Sequence, residues 1–135
     1  MQLRKKSRDS VYKLIYEFLF SGVENTKTLA IMTSGDLPMS EYDYITTVYK
    51  GVISKIDELK DIVAEYARGF DVDRVYKLDL AALLLAIYEM KYMPEIPLGT
   101  SIAEAVELVK IYSTEKSYSF VNGILSSVYK SLTAK

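Results

Sequence analysis

DRVYKLDLAALLLAIYEMKYM, Asp73–Met93, is the stretch whose reading decides the fold. Between Leu78 and Tyr88 the one charged residue is Asp79, and apolar residues fall on every face of a helical wheel. A helix apolar all round belongs inside a protein or inside a membrane. The uncharged run Leu80–Tyr88 would rise only about 14 Å as a helix, against roughly 30 Å of bilayer core, so the protein interior is its place. Leu, Ala and Met favour helix over strand, and the pattern is too long for a strand. Burying Leu78, Leu80, Leu83, Leu84, Leu85 and Ile87 at roughly 1.5–3 kcal/mol each gives an upper bound of about 9–18 kcal/mol. A central helix wrapped by others follows.

Working outward, Val11, Leu14, Ile15, Phe18 and Leu19 repeat at helical spacing and predict a first helix over Leu3–Ser21, stopped by Gly22. A short helix follows from Asn25 or Thr26 to Met32. After the turn-like Ser34–Ser40, Ser40 is the expected N-cap of a helix over Glu41–Ser54. Gly51 within it predicts that another helix passes close, since glycine costs about 1 kcal/mol against alanine there. Ser54 and Asp57 have capping-box spacing, which suggests a fresh helix to about Arg68, ended by Gly69. Beyond the central helix, Pro94 and Pro97 enforce a loop. A sixth helix is expected over Thr100–Tyr112, with Ser101 and Glu104 as a capping box, and a seventh capped by Thr114. The fold class is all-α, about seven helices in one unit.

The 135 residues suit one domain with a real core; half are apolar and about a quarter charged. The net charge of −1 conceals an uneven distribution. Arg4, Lys5, Lys6 and Arg8 precede the first acid, Asp9, whereas nine acids oppose five bases between Asp36 and Arg74. Cysteine and histidine are both absent. That excludes disulfides, Ser-His-Asp triads, Cys/His zinc sites and histidine switches. No phosphate loop, GxGxxG, HExxH or GxSxG occurs, so neither catalysis nor a cofactor or metal is expected. The opening MQLRKKSRDS has no signal-peptide apolar core, which makes the cytoplasm the expected location.

Four features stand out, each with an ordinary alternative. The basic opening run suits RNA phosphates, or is a solvated tail. Phe120 beside Asn122-Gly123 suits base stacking, or is a core ring beside a closely packed glycine. The twelve tyrosines suit half-buried boundary positions, with some at interfaces. Asp79 lies either on the central helix's one wet strip or against a partner's base.

Several of these residues share a family pattern. Leu85-Ala86-Ile87-Tyr88-Glu89, the Pro97 loop, Glu104-Ala105-Val106-Glu107-Leu108, Tyr112 and Phe120-Val121-Asn122-Gly123 together resemble the bacterial transcription antitermination factor family NusB. The basic start followed by Leu14-Ile15-Tyr16, Gly51-Val52 and Asp57 fit the same pattern over nearly the whole chain. The resemblance implies two packed helical sub-bundles around the central helix, in a single NusB-like domain spanning residues 1–135. It also implies binding of single-stranded, boxA-like RNA from ribosomal RNA leaders, together with the small-subunit ribosomal protein NusE, in the transcription elongation complex. On this likeness Arg4, Lys5, Lys6, Arg8, Phe120 and Asn122 form the RNA surface, so the basic run and the Phe120–Gly123 patch lie on one side of the molecule. Tyr16, Tyr66 and Asp79 bear on the protein partner. Leu80 and Leu84 depart from the family's usual basic residues, Ala103 from its asparagine, and Lys116 and Ser119 from common choices beside the Phe120 segment. The alternative is a helical protein–protein adaptor or homodimer without RNA binding. A second alternative is an RNA-modifying enzyme, since a NusB-like helical domain precedes the catalytic domain in some ribosomal-RNA cytosine methyltransferases, but no cysteine nucleophile and no room for a cofactor-binding sheet are expected here.

Overall fold

A computed structural model describes residues 3–69 and 71–134. Among them are seven α-helices, no strand and one 3-10 turn. The helices are α1 (Leu3–Ser21), α2 (Thr26–Met32), α3 (Met39–Ser54), α4 (Ile56–Tyr66), α5 (Lys77–Tyr92), α6 (Leu98–Tyr112) and α7 (Glu115–Thr133), and the turn is Val72–Arg74. The all-α expectation holds. α5 is the axis: every residue from Asp79 to Ile87 is buried, and Leu83, Leu84 and Ile87 have no accessible surface. It packs against α1 and α3 on one side and α4, α6 and α7 on the other, so two sub-bundles share it. Leu80 and Leu84, the departures from the family's basic residues, fill this core.

The central helix is shorter than the stretch that announced it. The Asp71 carboxylate accepts the Asp73 N–H at 3.1 Å, which holds Val72–Arg74 in the 3-10 turn. Val75 and Tyr76 are then extended, with ψ of 135° at both, and α5 starts only at Lys77. Gly51 meets its expectation, because a Cβ there would lie 2.3 Å from the Tyr88 ring of α5. Gly123 does not, since nothing comes within 4 Å of the corresponding position. It lies on the open face of α7.

The caps divide. Thr114 caps α7 in a capping box with Ser117. Ser40 does not cap α3; the helix begins at Met39, two residues earlier than expected, behind Pro38, whose carbonyl accepts Glu41 N at 2.9 Å and Tyr42 N at 3.0 Å. Proline presets φ for a helix start, so the serine already lies inside. Pro97 does the same for α6, which starts at Leu98 and releases Ser101 and Glu104 from the expected capping box. Ser54 donates to Gly51 O at 2.9 Å instead of capping α4, and α4 ends at Tyr66 rather than Arg68.

Candidate nucleic-acid interface

The first turns of α1 carry the basic run, and the structure sorts its members by how firmly each is held. Arg4 donates from Nε and Nη2 to the two Glu41 oxygens at 2.9 and 3.2 Å, and its guanidinium lies 4.2 Å over the Tyr44 ring. Ser7 and Ser40 hydroxyls also donate to Glu41, at 2.8 and 3.2 Å. The Arg4 hydrogen bonds, against the opposing effect of burial and with help from the serines, hold the Glu41 carboxyl below its ordinary pKa of 4.5. A depressed folded-state pKa stabilises the fold above the unfolded value, and that contribution is lost as pH falls through the folded one. An NMR titration of the Glu41 carboxyl is therefore expected to give a midpoint under 4.5, moving upward in Arg4→Ala. An unmoved midpoint in the variant would show that Arg4 is not the cause.

Arg8 is not on the surface. It is 6% exposed and donates from Nε and Nη2 to Glu89 at 2.8 and 3.2 Å. Glu89, itself 1% exposed, also accepts the Tyr44 hydroxyl and the Ser101 hydroxyl, the latter at 2.7 Å. Burial works against the Arg8 charge, but the Glu89 hydrogen bonds and nearby negative groups outweigh it and raise the guanidinium pKa. The same burial, with the Glu89 charge, raises the Tyr44 phenol. Four elements, α1, α3, α5 and α6, are tied together at this point. Arg8 lines the groove of Lys5 and Lys6, but its Nε and Nη2 are committed to Glu89 and it is nearly buried, which weighs against the expected RNA contact there.

Lys5 and Lys6 are exposed. Lys5 Nζ lies 2.9 Å from Glu104 of α6 in a partly exposed pair. Both lysines line a groove between α1 and α6 with Glu104, Glu107, Ile111 and Tyr112, the last two exposed apolar side chains. Exposed pairs of this kind contribute about 0–1 kcal/mol, whereas breaking a buried one costs about 3–5. Lys5 is exchangeable and Arg8 is fixed.

Phe120 lies elsewhere, in a hollow of about 300 Å³ past the C-terminal end of α6, with Arg74, Tyr76, Asp79, Lys116 and Ser117. Asn122 is exposed on the same helix. The basic run and Phe120 thus line different hollows. Tyr112 joins them: its hydroxyl donates to Asp9 at 2.6 Å and its ring stacks on Tyr12 at 5.6 Å. Tyr12 in turn donates to Leu78 O at 2.9 Å, beside Asp79. Along α6 the distance from Glu104 to Tyr112 is about 12 Å, close to four nucleotides of a stacked strand.

Asp79 does not lie on a wet strip of the central helix. It is 4% exposed, and its oxygens accept Ser113 Oγ at 2.6 Å and Ser117 Oγ at 2.8 Å, so it fastens the α6–α7 corner from within. Tyr16 packs edge-on against Phe20 at 5.0 Å, in a second hollow that shares Arg74, Val75 and Tyr76 with that of Phe120. Tyr66 is half-buried at the end of α4, which packs on the 3-10 turn. No group of residues suited to hold a metal ion occurs among those described, and no described helix is long and apolar enough to cross a membrane.

This arrangement has counterparts in known proteins. A sequence model described as the NusB family matches residues 5–130. The chain belongs to the NusB family. The transcription antitermination protein NusB of Acetivibrio thermocellus is 39% identical over 128 residues, covering 94% of this chain and 88% of that protein. The structure of T. maritima NusB superposes with a TM-score of 0.87 at 27% identity, covering 94% and 90% of the two chains. A chain in the crystal structure of antitermination factors NusB and NusE in complex with dsRNA superposes with a TM-score of 0.83 at 26% identity, covering 97% and 98%.

The NusB likeness pointed to Arg4, Lys5 and Arg8 but not to their partners Glu41, Glu104 and Glu89, which stand 37, 99 and 81 residues away from them. Glu89 did carry one legible signal. It borders the apolar run of α5, where an acid has to be satisfied internally.

Proposed function

We propose that this NusB-family chain is a non-enzymatic RNA-binding antitermination factor of the cytoplasm, a single domain that takes boxA-like single-stranded RNA together with a NusE-type ribosomal protein. The observation that carries this reading is the groove between α1 and α6, where exchangeable lysines, Lys5 and Lys6, stand beside the exposed Ile111 and Tyr112. Cations take the phosphates and the ring offers a base a stacking surface. From there the strand runs past Lys13, which sits 5.5 Å over the Tyr112 ring, toward Phe120 and Asn122. Arg4 and Arg8 act from behind, by holding α1 in place. The protein partner covers the adjoining face of Tyr16, Phe20 and Tyr76, with Tyr66 at its margin and Asp79 supporting it from beneath.

The test is a titration of boxA-like RNA with and without NusE across roughly 50–200 mM salt. NusE should tighten binding. Lys5→Ala/Lys6→Ala should weaken it and flatten the slope of log K against log[salt] by about 0.7–1.4. A chain that binds no RNA under either condition, or a double variant identical to wild type, would overturn the assignment. A dimer indifferent to RNA would favour the adaptor alternative instead.

A further inference from the structure

Lys5 does not offer RNA a free ammonium. Its Nζ lies 2.9 and 3.2 Å from the two oxygens of Glu104, a planar anion held in the way a phosphate is held. We propose that Glu104 sets the affinity of the RNA surface: its carboxylate occupies the phosphate's place on Lys5, and RNA binding exchanges one anion for the other. The inference rests on the RNA-binding reading above.

Three observations carry it. The pair is open to water, with side-chain exposures of 49% for Lys5 and 24% for Glu104, so its charges are screened and it separates at little cost. The acid cannot leave the groove once displaced, because α6 is packed along α5 and is tied to it one turn earlier by Ser101 on Glu89. Its charge therefore stays beside the incoming strand and opposes it, with Glu107 on the same groove wall. Finally, the neighbouring pairs are not of this kind. Arg8 and Glu89 are buried, Arg4 is held by a Glu41 only 9% exposed, and Lys13 pairs with Asp9 within its own helix at 2.9 Å. Glu104 thus reduces purely electrostatic, sequence-blind attraction and leaves a larger share of the affinity to stacking on Tyr112 and Phe120.

Glu104→Gln keeps the shape and a hydrogen-bond acceptor for Lys5 while removing the charge. It should bind the boxA-like single strand about two- to fivefold tighter than wild type. Its salt slope should steepen by about 0.7, one additional phosphate effectively neutralised. Lys5→Ala should bind more weakly, and Lys5→Ala/Glu104→Gln, which removes the pair whole, should return close to wild-type affinity. A wild-type chain that binds RNA while Glu104→Gln is no tighter and no steeper overturns this inference alone, as does a double variant as weak as Lys5→Ala. A wild-type chain that binds no RNA overturns the underlying reading together with it.

Discussion

Leu85→Asp is expected to leave the chain without a cooperative unfolding transition. Leu85 is 2% exposed in the middle of α5, the helix that five others pack against. Truncation there to alanine alone costs about 2–5 kcal/mol in lost transfer energy and unfilled space. A carboxylate adds the cost of a charge with no partner in an apolar surround, several kcal/mol more. The sum reaches the whole stability of a typical domain, about 5–15 kcal/mol. Urea unfolding followed by circular dichroism should show Leu85→Ala with a lowered midpoint and Leu85→Asp with no transition at all. Leu132→Asp, at an exposed position in the last turn of α7, should melt like wild type. If Leu85→Asp unfolded as sharply and as late as wild type, α5 would not be the axis of the fold.

That axis was legible in the sequence for a plain reason. Buried helices announce themselves by apolar residues on every face, and no tertiary knowledge is needed to see them. The cap at Thr114 was legible likewise, since it is decided by residues a few positions apart, and Gly51 was legible because a glycine inside a helix is costly unless another element passes close, here Tyr88 of α5. Where two local signals competed, the stronger one was the less visible: prolines 38 and 97 set the helix starts, and the serines that resembled caps were carried inside. The site was legible only in part. Charge and family likeness pointed to Lys5, Lys6 and Phe120, but a cation's availability depends on an acid from another helix. Arg4, Lys5 and Arg8 look alike in the sequence, yet they differ in the burial of their partners Glu41, Glu104 and Glu89. Asp79 shows the same limit, because the serines that satisfy it belong to a helix corner 34 to 38 residues away.

That difference among cations makes Arg8→Ala the sharpest test of how α1 is held. Removing the guanidinium leaves Glu89 charged, 1% exposed and facing an empty site, which costs about 3–5 kcal/mol. The loss should spread, because Glu89 also takes the hydroxyls of Tyr44 and Ser101 and so ties α3 and α6 to the same point. Lys5→Ala, by contrast, breaks an exposed pair and should change stability by no more than about 1 kcal/mol. Replacing the buried pair whole, as Arg8→Met/Glu89→Leu, should recover most of the loss, since apolar residues of similar volume remove both the charge and the void. The RNA readout separates position from contact. At a temperature where Arg8→Ala is still folded, its salt slope should match wild type, because that guanidinium is held by Glu89 rather than offered to a phosphate. A variant that kept its melting temperature but lost about 0.7 from the slope would put Arg8 on the RNA, and would mean that Glu89 can be left unpaired without cost.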